Sequence, residues 1–452
     1  MASLSGAVAP DRAEPQQKGS AYRWYVVVLL LAIFILSYFD RFILSLLVEP
    51  LKASLHLSDF EVGLLLGPAF SMFHVLAAIP LGWFADRSNR KWLLFTGIVI
   101  WCSMTVGSGL VATFLPLFLM RLGLGLGEAV VSPCSVSMIS DYFNRRERAR
   151  AISVYMAGPY LGAGLAFLLG GAVVGYLTKL GHVTWPVFGT LAPWQATFVL
   201  VGIPGFLFAG MMLTVKEPER QERLAGKTSG TAAFRYMGAR WRGFGALIVG
   251  STCNFALSAL TLWNVPLFSR VWGWSIAQTG FITGLFYFTA GPIGTALAVW
   301  SAKRFAGHVD GSMRVLILGL LICVPASALY PVMPSAQFGI AFMFVAFIGK
   351  SVATAGGPAS MAQIIPGEMR TQGLAIFNTF ISLIGPLLGP PIIGAATDYT
   401  GDPKKIGVVL CFYVLLIGIP SIFTVLFGLK HYRVAVRDLE TALAQAGPAP
   451  HN

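Results

Sequence analysis

Long apolar runs separated by short polar breaks follow one another along almost the whole chain, at about 23–48, 60–85, 91–111, 114–140, 150–177, 194–215, 243–269, 276–302, 314–333, 337–364, 372–396 and 406–429. Each is near the ~20 residues that a helix needs to cross bilayer hydrocarbon. The runs are continuous rather than alternating, which excludes a membrane barrel. The pattern predicts an all-α polytopic membrane protein with twelve transmembrane helices. The longest polar interval, about 216–242, divides them six and six. The chain therefore reads as a tail (1–22), a six-helix bundle (23–215), a linker (216–242), a second six-helix bundle (243–429) and a C-terminal tail (430–452).

Composition agrees, with 56% apolar and 11% charged residues, where a soluble domain carries about 25% charged. The 32 Lys and Arg are placed unevenly: Lys52, Lys179, Arg270, Lys404 and Lys405 lie in one set of loops, Arg41, Arg121 and Lys350 lie within runs, and the rest crowd the other loops and the tails. By the positive-inside rule both termini are cytosolic, as expected in an inner (plasma) membrane. Basic loops beside anionic lipid account for the net charge of +13 without nucleic acid. The N-terminal segment lacks the layout of a signal peptide. In the linker, 234–242 mixes bases with aromatics and suits a short helix along the cytosolic interface.

Cys102, Cys134, Cys253, Cys323 and Cys411 all fall in apolar runs and form no disulfide framework or metal-ligand spacing. The six histidines are scattered, so nothing suggests an enzyme, a catalytic residue, a metal or another cofactor. A Gly-rich phosphate loop is also lacking, which argues against direct use of ATP.

The halves resemble each other. Gly158-Pro159-Tyr-Leu-Gly162 recurs as Gly385-Pro386-Leu-Leu-Gly389, Ser132-Pro133 as Gly357-Pro358, and Asp86-Arg-Ser-Asn-Arg90 as Asp310-Gly-Ser-Met-Arg314, at nearly one offset. This is the mark of an internal duplication, and two six-helix repeats around an axis along the membrane normal are a transporter architecture. A membrane receptor is the less favoured alternative, since it would not need the duplication.

A few ionisable residues lie at membrane depth, where a charge is costly and normally faces a partner or a wet cavity. Asp40 and Arg41 sit side by side in the first run, flanked by Phe39 and Phe42. Arg121 and Glu128 stand seven residues apart in the fourth. Two helical turns put them on one face, about 10 Å apart along the axis, while Arg41 lies about 100° round the helix from Asp40. Arg41 is thus free to hold an anionic group or to pair with another acid. Gly123 and Gly127 let a neighbouring helix approach. Lys350 is the only base within a run of the second half, facing either a central cavity or an interface. His74 is read as a packing histidine rather than a proton shuttle.

After the second run the chain reads Gly82-Trp-Phe-Ala-Asp86-Arg87-Ser-Asn-Arg90-Lys91, which resembles the signature of the major facilitator superfamily. Gly82 would permit close helix approach. Asp86, Arg87, Arg90 and Lys91 would form a cytosolic latch with Asp141, Glu147 and Arg148 of the next cytosolic turn, engaged when the cavity opens outward. More narrowly, Tyr38-Phe39-Asp40-Arg41, the loop just quoted, Arg121…Gly125…Gly127-Glu128-Ala129, Arg148 to Tyr155 and Gly162-Ala-Gly164 resemble the spinster family of lipid transporters. Anion:cation symporters of the same superfamily share a Tyr-x-Asp-Arg and an Arg…Gly-Glu-Ala pattern.

The spinster resemblance implies proton coupling through Asp40 and Glu128 with Arg121 as counter-charge, in a monomer working by alternating access. It implies a lysophospholipid or sphingoid-phosphate substrate, held by Arg41, Lys350, Phe39 and Phe42 beside a wall that includes Phe286, Tyr287 and Phe288. The alternative substrate is a small organic anion such as a sugar acid. Expected partners are membrane lipids, protons and the amphipathic or anionic substrate.

Overall fold

The computed structural model describes residues 19–85, 87–220, 230–366 and 369–445. Asp86, most of the N-terminal tail and parts of the linker and C-terminal tail lie outside the described residues. Among the described residues, twelve helices are long and apolar enough to cross a membrane. Spans 1 to 6 are Ser20–Leu46, Asp59–Ala77, Arg90–Ser108, Phe114–Tyr142, Arg146–Leu180 and Pro193–Met212. Spans 7 to 12 are Trp241–Trp272, Ile276–Arg304, Gly311–Val332, Ala336–Ile364, Gln372–Tyr399 and Pro403–Ala442. The even number brings both ends of the described chain to one face, here called the basic face; the other is the far face. Large apolar side chains stay exposed around the outside, among them Tyr176, Leu207, Phe412, Leu416 and Phe427, where lipid rather than water would meet them.

Local sequence sets the helix ends. Ser58 and Glu61 form a capping box at the far-face start of span 2, and Ser275 and Gln278 do the same for span 8. Spans 2 and 8 are repeat-mates, so the duplication extends to their caps. Asn89 caps span 3, and Asn144 caps the helix Arg145–Tyr155.

Two segments depart from the loops and tails expected from sequence, and a third overlaps the linker helix expected at 234–242. The last helix runs Ile406–Gln445, well past the expected end at 429. Residues 430–445 contain no Gly or Pro, and Tyr432, Ala435 and Val436 are buried with Met237 and Phe244, so burial carries the helix on. A hairpin of Val183–Trp185 and Gly189–Leu191 occupies the loop after span 5. In the linker, Gly230–Ala239 is helical.

The two halves meet mainly toward the far face, through small residues. A Cβ on Gly63 of span 2 would lie 2.5 Å from the Pro390 carbonyl oxygen of span 11. A Cβ on Gly280 of span 8 would lie 2.5 Å from the Phe167 oxygen of span 5, and one on Gly284 would lie 2.7 Å from the Gly164 oxygen. Backbones this close leave no room for any side chain. The far end is closed.

Gly63→Val should therefore block that closure. Electron spin resonance distances between labels at Ser54 and Lys404, which lie on the two sides of the far face, should lengthen and lose most of the short-distance population. An unchanged distribution would show that spans 2 and 11 can separate elsewhere without opening the far end.

Candidate functional site

Inside the first half, spans 1, 3 and 4 bring four ionisable side chains together. Arg41 Nη2 lies 3.0 Å from Glu128 Oε2, and Arg121 Nη1 lies 3.8 Å from Asp40 Oδ1. The Thr105 hydroxyl of span 3 donates to Asp40 Oδ2. Asp40, Arg121 and Glu128 are all buried, whereas the Arg41 side chain keeps 26% of its surface exposed. Small residues of span 4 make the packing possible: a Cβ on Gly127 would lie 2.8 Å from the Gly97 oxygen, and one on Gly123 would lie 2.7 Å from Met104 Sδ. The close approach expected of Gly123 and Gly127 is thus made with span 3.

The quartet is under-bonded. Asp40 Oδ1, Glu128 Oε1, Arg41 Nε, and Arg121 Nε and Nη1 are buried without a hydrogen-bond partner among the described residues. Unpaired buried acceptors of this kind are costly, and each carboxylate keeps an oxygen where a proton can settle. Sequence spacing turned Arg41 away from the Asp40 side of the helix, and the structure shows where it goes. It crosses to Glu128, so each acid has its own arginine instead of sharing Arg121.

Aromatic rings surround the exposed member. The Arg41 guanidinium lies 4.6 Å from the Tyr38 ring centroid and 4.2 Å from that of Phe70, and His74 stacks on the other ring of this set, Phe70, at 4.9 Å. Phe42 meets Phe167 at 5.5 Å and Tyr287 at 6.0 Å, and Tyr287 meets Phe347 at 5.3 Å. A continuous aromatic wall thus runs from span 1 through spans 5 and 8 to span 10. Of the expected wall residues, Phe286 turns to Phe344 and Phe347, and Phe288 faces Gly164. Phe39 packs near Gly170.

Lys350 lines a cavity of about 20 Å³ between spans 7, 9 and 10, within the second half. That is too small for the head of either expected substrate.

On the basic face the expected gating residues form a cluster within one half. Arg90 is buried and reaches Asp141 Oδ2 at 2.5 Å, Glu217 Oε1 at 2.7 Å and Ser137 at 2.7 Å. Lys91 Nζ donates to the Leu213 carbonyl at 2.7 Å, and Glu147 pairs with Arg23 at 3.1 Å. Arg87 is exposed and Arg148 half-buried; Asp86 lies outside the described residues. Two expectations change here. The Arg90–Asp141 pair coexists with a closed far end rather than awaiting an outward-open cavity, because both residues belong to the same half. Among the described residues a Cβ on Gly82 would meet nothing within 4 Å, so no close helix contact is made there by them. The repeat-mate loop shows a related cluster, with Asp310 accepting from Arg314 at 2.9 Å and from Arg433 at 2.7 Å. Burial there pushes the Asp310 carboxyl up, but the two arginines outweigh it and hold it below the usual carboxylate range.

A cluster that sequence reasoning missed joins the halves at the far face. Arg270 of span 7 forms two hydrogen bonds of 2.8 Å with the Asp59 carboxylate at the start of span 2, and a third of 2.8 Å with Glu49. Lys52 also reaches Asp59, at 2.5 Å. The Asp398 carboxylate of span 11 accepts from the backbone N–H groups of Asp59 and Phe60 at 2.9 and 2.8 Å, where the N-terminus of a helix favours an anion. The available signal was Arg270 itself, a base on the face that is otherwise poor in bases.

Comparison with known proteins gives the context of this arrangement. The family model described as Major Facilitator Superfamily matches residues 30–308 and 247–450. An "MFS-type efflux pump" of Mycolicibacterium smegmatis is 24% identical over 89% of this chain and 90% of that protein. A "Probable L-galactonate transporter" of Escherichia coli is 23% identical over 87% of this chain and 86% of its own. "Protein spinster homolog 1" of Bos taurus is 31% identical, over 38% of this chain and 34% of that protein. Among solved structures, a bacterial homologue of the human lysosomal transporter Spinster, in an inward-facing and unoccupied conformation, aligns with a TM-score of 0.75. It is 26% identical over 96% of this chain and 100% of that one.

Removing Arg270 tests the far-face cluster. Deleting one partner of a buried ion pair costs about 3–5 kcal/mol; Lys52 remains, so Arg270→Ala should lie toward the lower end. At tenfold per 1.4 kcal/mol this still moves the closed population by about a hundredfold. The Ser54–Lys404 label distance should lengthen, and it should do so far less in Lys52→Ala. Equal behaviour of the two variants would rule out Arg270 as the principal tie.

Proposed function

The chain belongs to the major facilitator superfamily, and on that premise we propose that it is a proton-coupled transporter working by alternating access, whose substrate is an amphipathic anion of the lysophospholipid or sphingoid-phosphate type. The observation that carries this reading is the Arg41–Glu128 pair, in which a fully buried acid holds the one arginine of the quartet that is still partly exposed. A proton on Glu128 removes its charge and releases the guanidinium. An anionic head bound to the guanidinium displaces the carboxylate and favours its protonation. Proton and anion therefore bind with positive linkage, each strengthening the other by the same factor. Asp40, held by Arg121 and Thr105, is the second proton site.

Rocking of the halves changes which face this site meets. With the far end closed by the Asp59–Arg270 cluster, the pathway opens toward the basic face. The excess of Lys and Arg there makes that face cytosolic by the positive-inside rule, with both termini inside and the protein in an inner membrane. The aromatic wall of Phe42, Phe167, Tyr287 and Phe347 beside Arg41 suits an acyl or sphingoid tail. Similarity to bacterial and mammalian spinster proteins supports the lipid reading. A second reading, a sugar acid, is favoured by the near full-length likeness to the probable L-galactonate transporter; the same guanidinium would serve and the wall would not.

In proteoliposomes under an imposed pH gradient, Glu128→Gln and Asp40→Asn should each abolish concentrative uptake of a lysophospholipid while exchange down its own gradient persists. Concentrative uptake retained by both variants would separate proton coupling from this pair. Competition should strengthen with acyl-chain length and be lost in Arg41→Ala. Tight competition by a short sugar acid, indifferent to chain length, would replace the lipid reading with the second one.

A further inference from the structure

Lys350 poses a problem that the quartet does not solve. It is a base at membrane depth in the second half, and among the described residues no carboxylate pairs with it. Its ammonium lies 5.9 Å from the Phe347 ring centroid, and the two residues share the small cavity with Leu257, Leu260, Thr261, Asn264, Cys323, Ser327 and Tyr330. An ammonium in such a place normally has a counter-charge or a wet cavity. The described residues offer the cavity but no acid.

The polar groups around that cavity are arranged to donate. Asn264 is buried, and its Oδ1 is taken by the Tyr330 hydroxyl at 2.9 Å. Its Nδ2 is buried with no hydrogen-bond partner. An amide whose oxygen is used presents only its N–H groups, and an ammonium has donors only. The Thr261 hydroxyl also lines the cavity, although it is hydrogen-bonded to the Tyr287 hydroxyl. A site with a cation, a spare amide donor and a hydroxyl, walled by Leu257, Leu260 and Phe347, selects a compact, weakly hydrated anion. The volume of about 20 Å³ leaves room for a small ion or water and not for a substrate head.

We propose that the cavity formed by Lys350, Asn264 and Thr261 binds a single small monovalent anion of the halide class, separate from the transported substrate. The anion supplies the counter-charge that the chain lacks and ties span 10 to span 7 within the second half. The site lies in the other half from Arg41 and Glu128, with Phe347 of the aromatic wall forming part of its lining.

The test is equilibrium binding of radioactive chloride to the purified full-length protein in gluconate buffer. The wild type should bind about one chloride per chain, with bromide and nitrate displacing it and sulfate failing to do so because of its size. Lys350→Gln should weaken binding by about tenfold to a hundredfold, as expected when a hydrogen bond to a charged group is lost, and Thr261→Val by less. Arg41→Ala should leave chloride binding unchanged. Absence of saturable chloride binding by the wild type would overturn the proposal, as would displacement by sulfate as readily as by bromide. Since these two criteria use the wild type alone, a folding defect in a variant cannot rescue or sink the idea. Loss of chloride binding in Arg41→Ala with retention in Lys350→Gln would also overturn it, by moving the anion to the other half.

Discussion

A charge taken into hydrocarbon must be matched, and here the matching is done pairwise with little to spare. Taking an ion out of water costs several kcal/mol even after relaxation. Two carboxylates and two guanidinium groups share that cost among spans 1, 3 and 4, with the Thr105 hydroxyl as a fifth member. The arrangement requires helix backbones close enough for Asp40 to reach both Thr105 and Arg121, which is why glycines occupy the faces of span 4 that meet its neighbours. It also leaves several buried polar atoms unmatched. A static scaffold has no need of such a shortfall, and the proposed proton sites would make use of it.

In the alternating-access reading proposed here, the rest of the molecule would convert that local imbalance into a choice between two arrangements of the halves. At the far face, glycine contacts permit closure and the Asp59–Arg270–Glu49 cluster rewards it. At the basic face, the Arg90 cluster fastens span 3 to span 4 and to Glu217 within the first half. The aromatic wall is the part shared between halves near the charged site. Its rings at 5.3 to 6.1 Å can slide without breaking hydrogen bonds, a property that suits a moving interface.

Twelve spans, their division into two repeats and the residues of the quartet were legible because each writes itself into one dimension. Length of apolar run gives a span, and an acid inside one is conspicuous. What could not be read was pairing across helices. The angle of 100° between Asp40 and Arg41 says that they face differently, but only the neighbour's position shows that Arg41 meets Glu128. Thr105 carries no signal of its own, being one hydroxyl among many. Asp59 and Arg270 sit at the ends of runs, where charges are ordinary, and 211 residues separate them. Lys350 is conspicuous as a base inside a run and is expected to hold substrate, yet the sequence does not show that the small cavity it lines lies inside the second half. Gly82 reads as a packing glycine from its motif, although a Cβ there would meet no atom of the described residues within 4 Å.

The central claim is that protonation of the quartet biases the far-face closure. The most direct measurement is the pH dependence of the Ser54–Lys404 label distance in the reconstituted, substrate-free protein, with Asp40→Asn/Glu128→Gln as the comparison. In the wild type the proportion of the short, closed distance should change with pH. In the double variant, which carries no titratable carboxyl in the quartet, the proportion should be independent of pH. A wild-type distribution that does not move with pH, or a double variant that moves as the wild type does, would contradict the account.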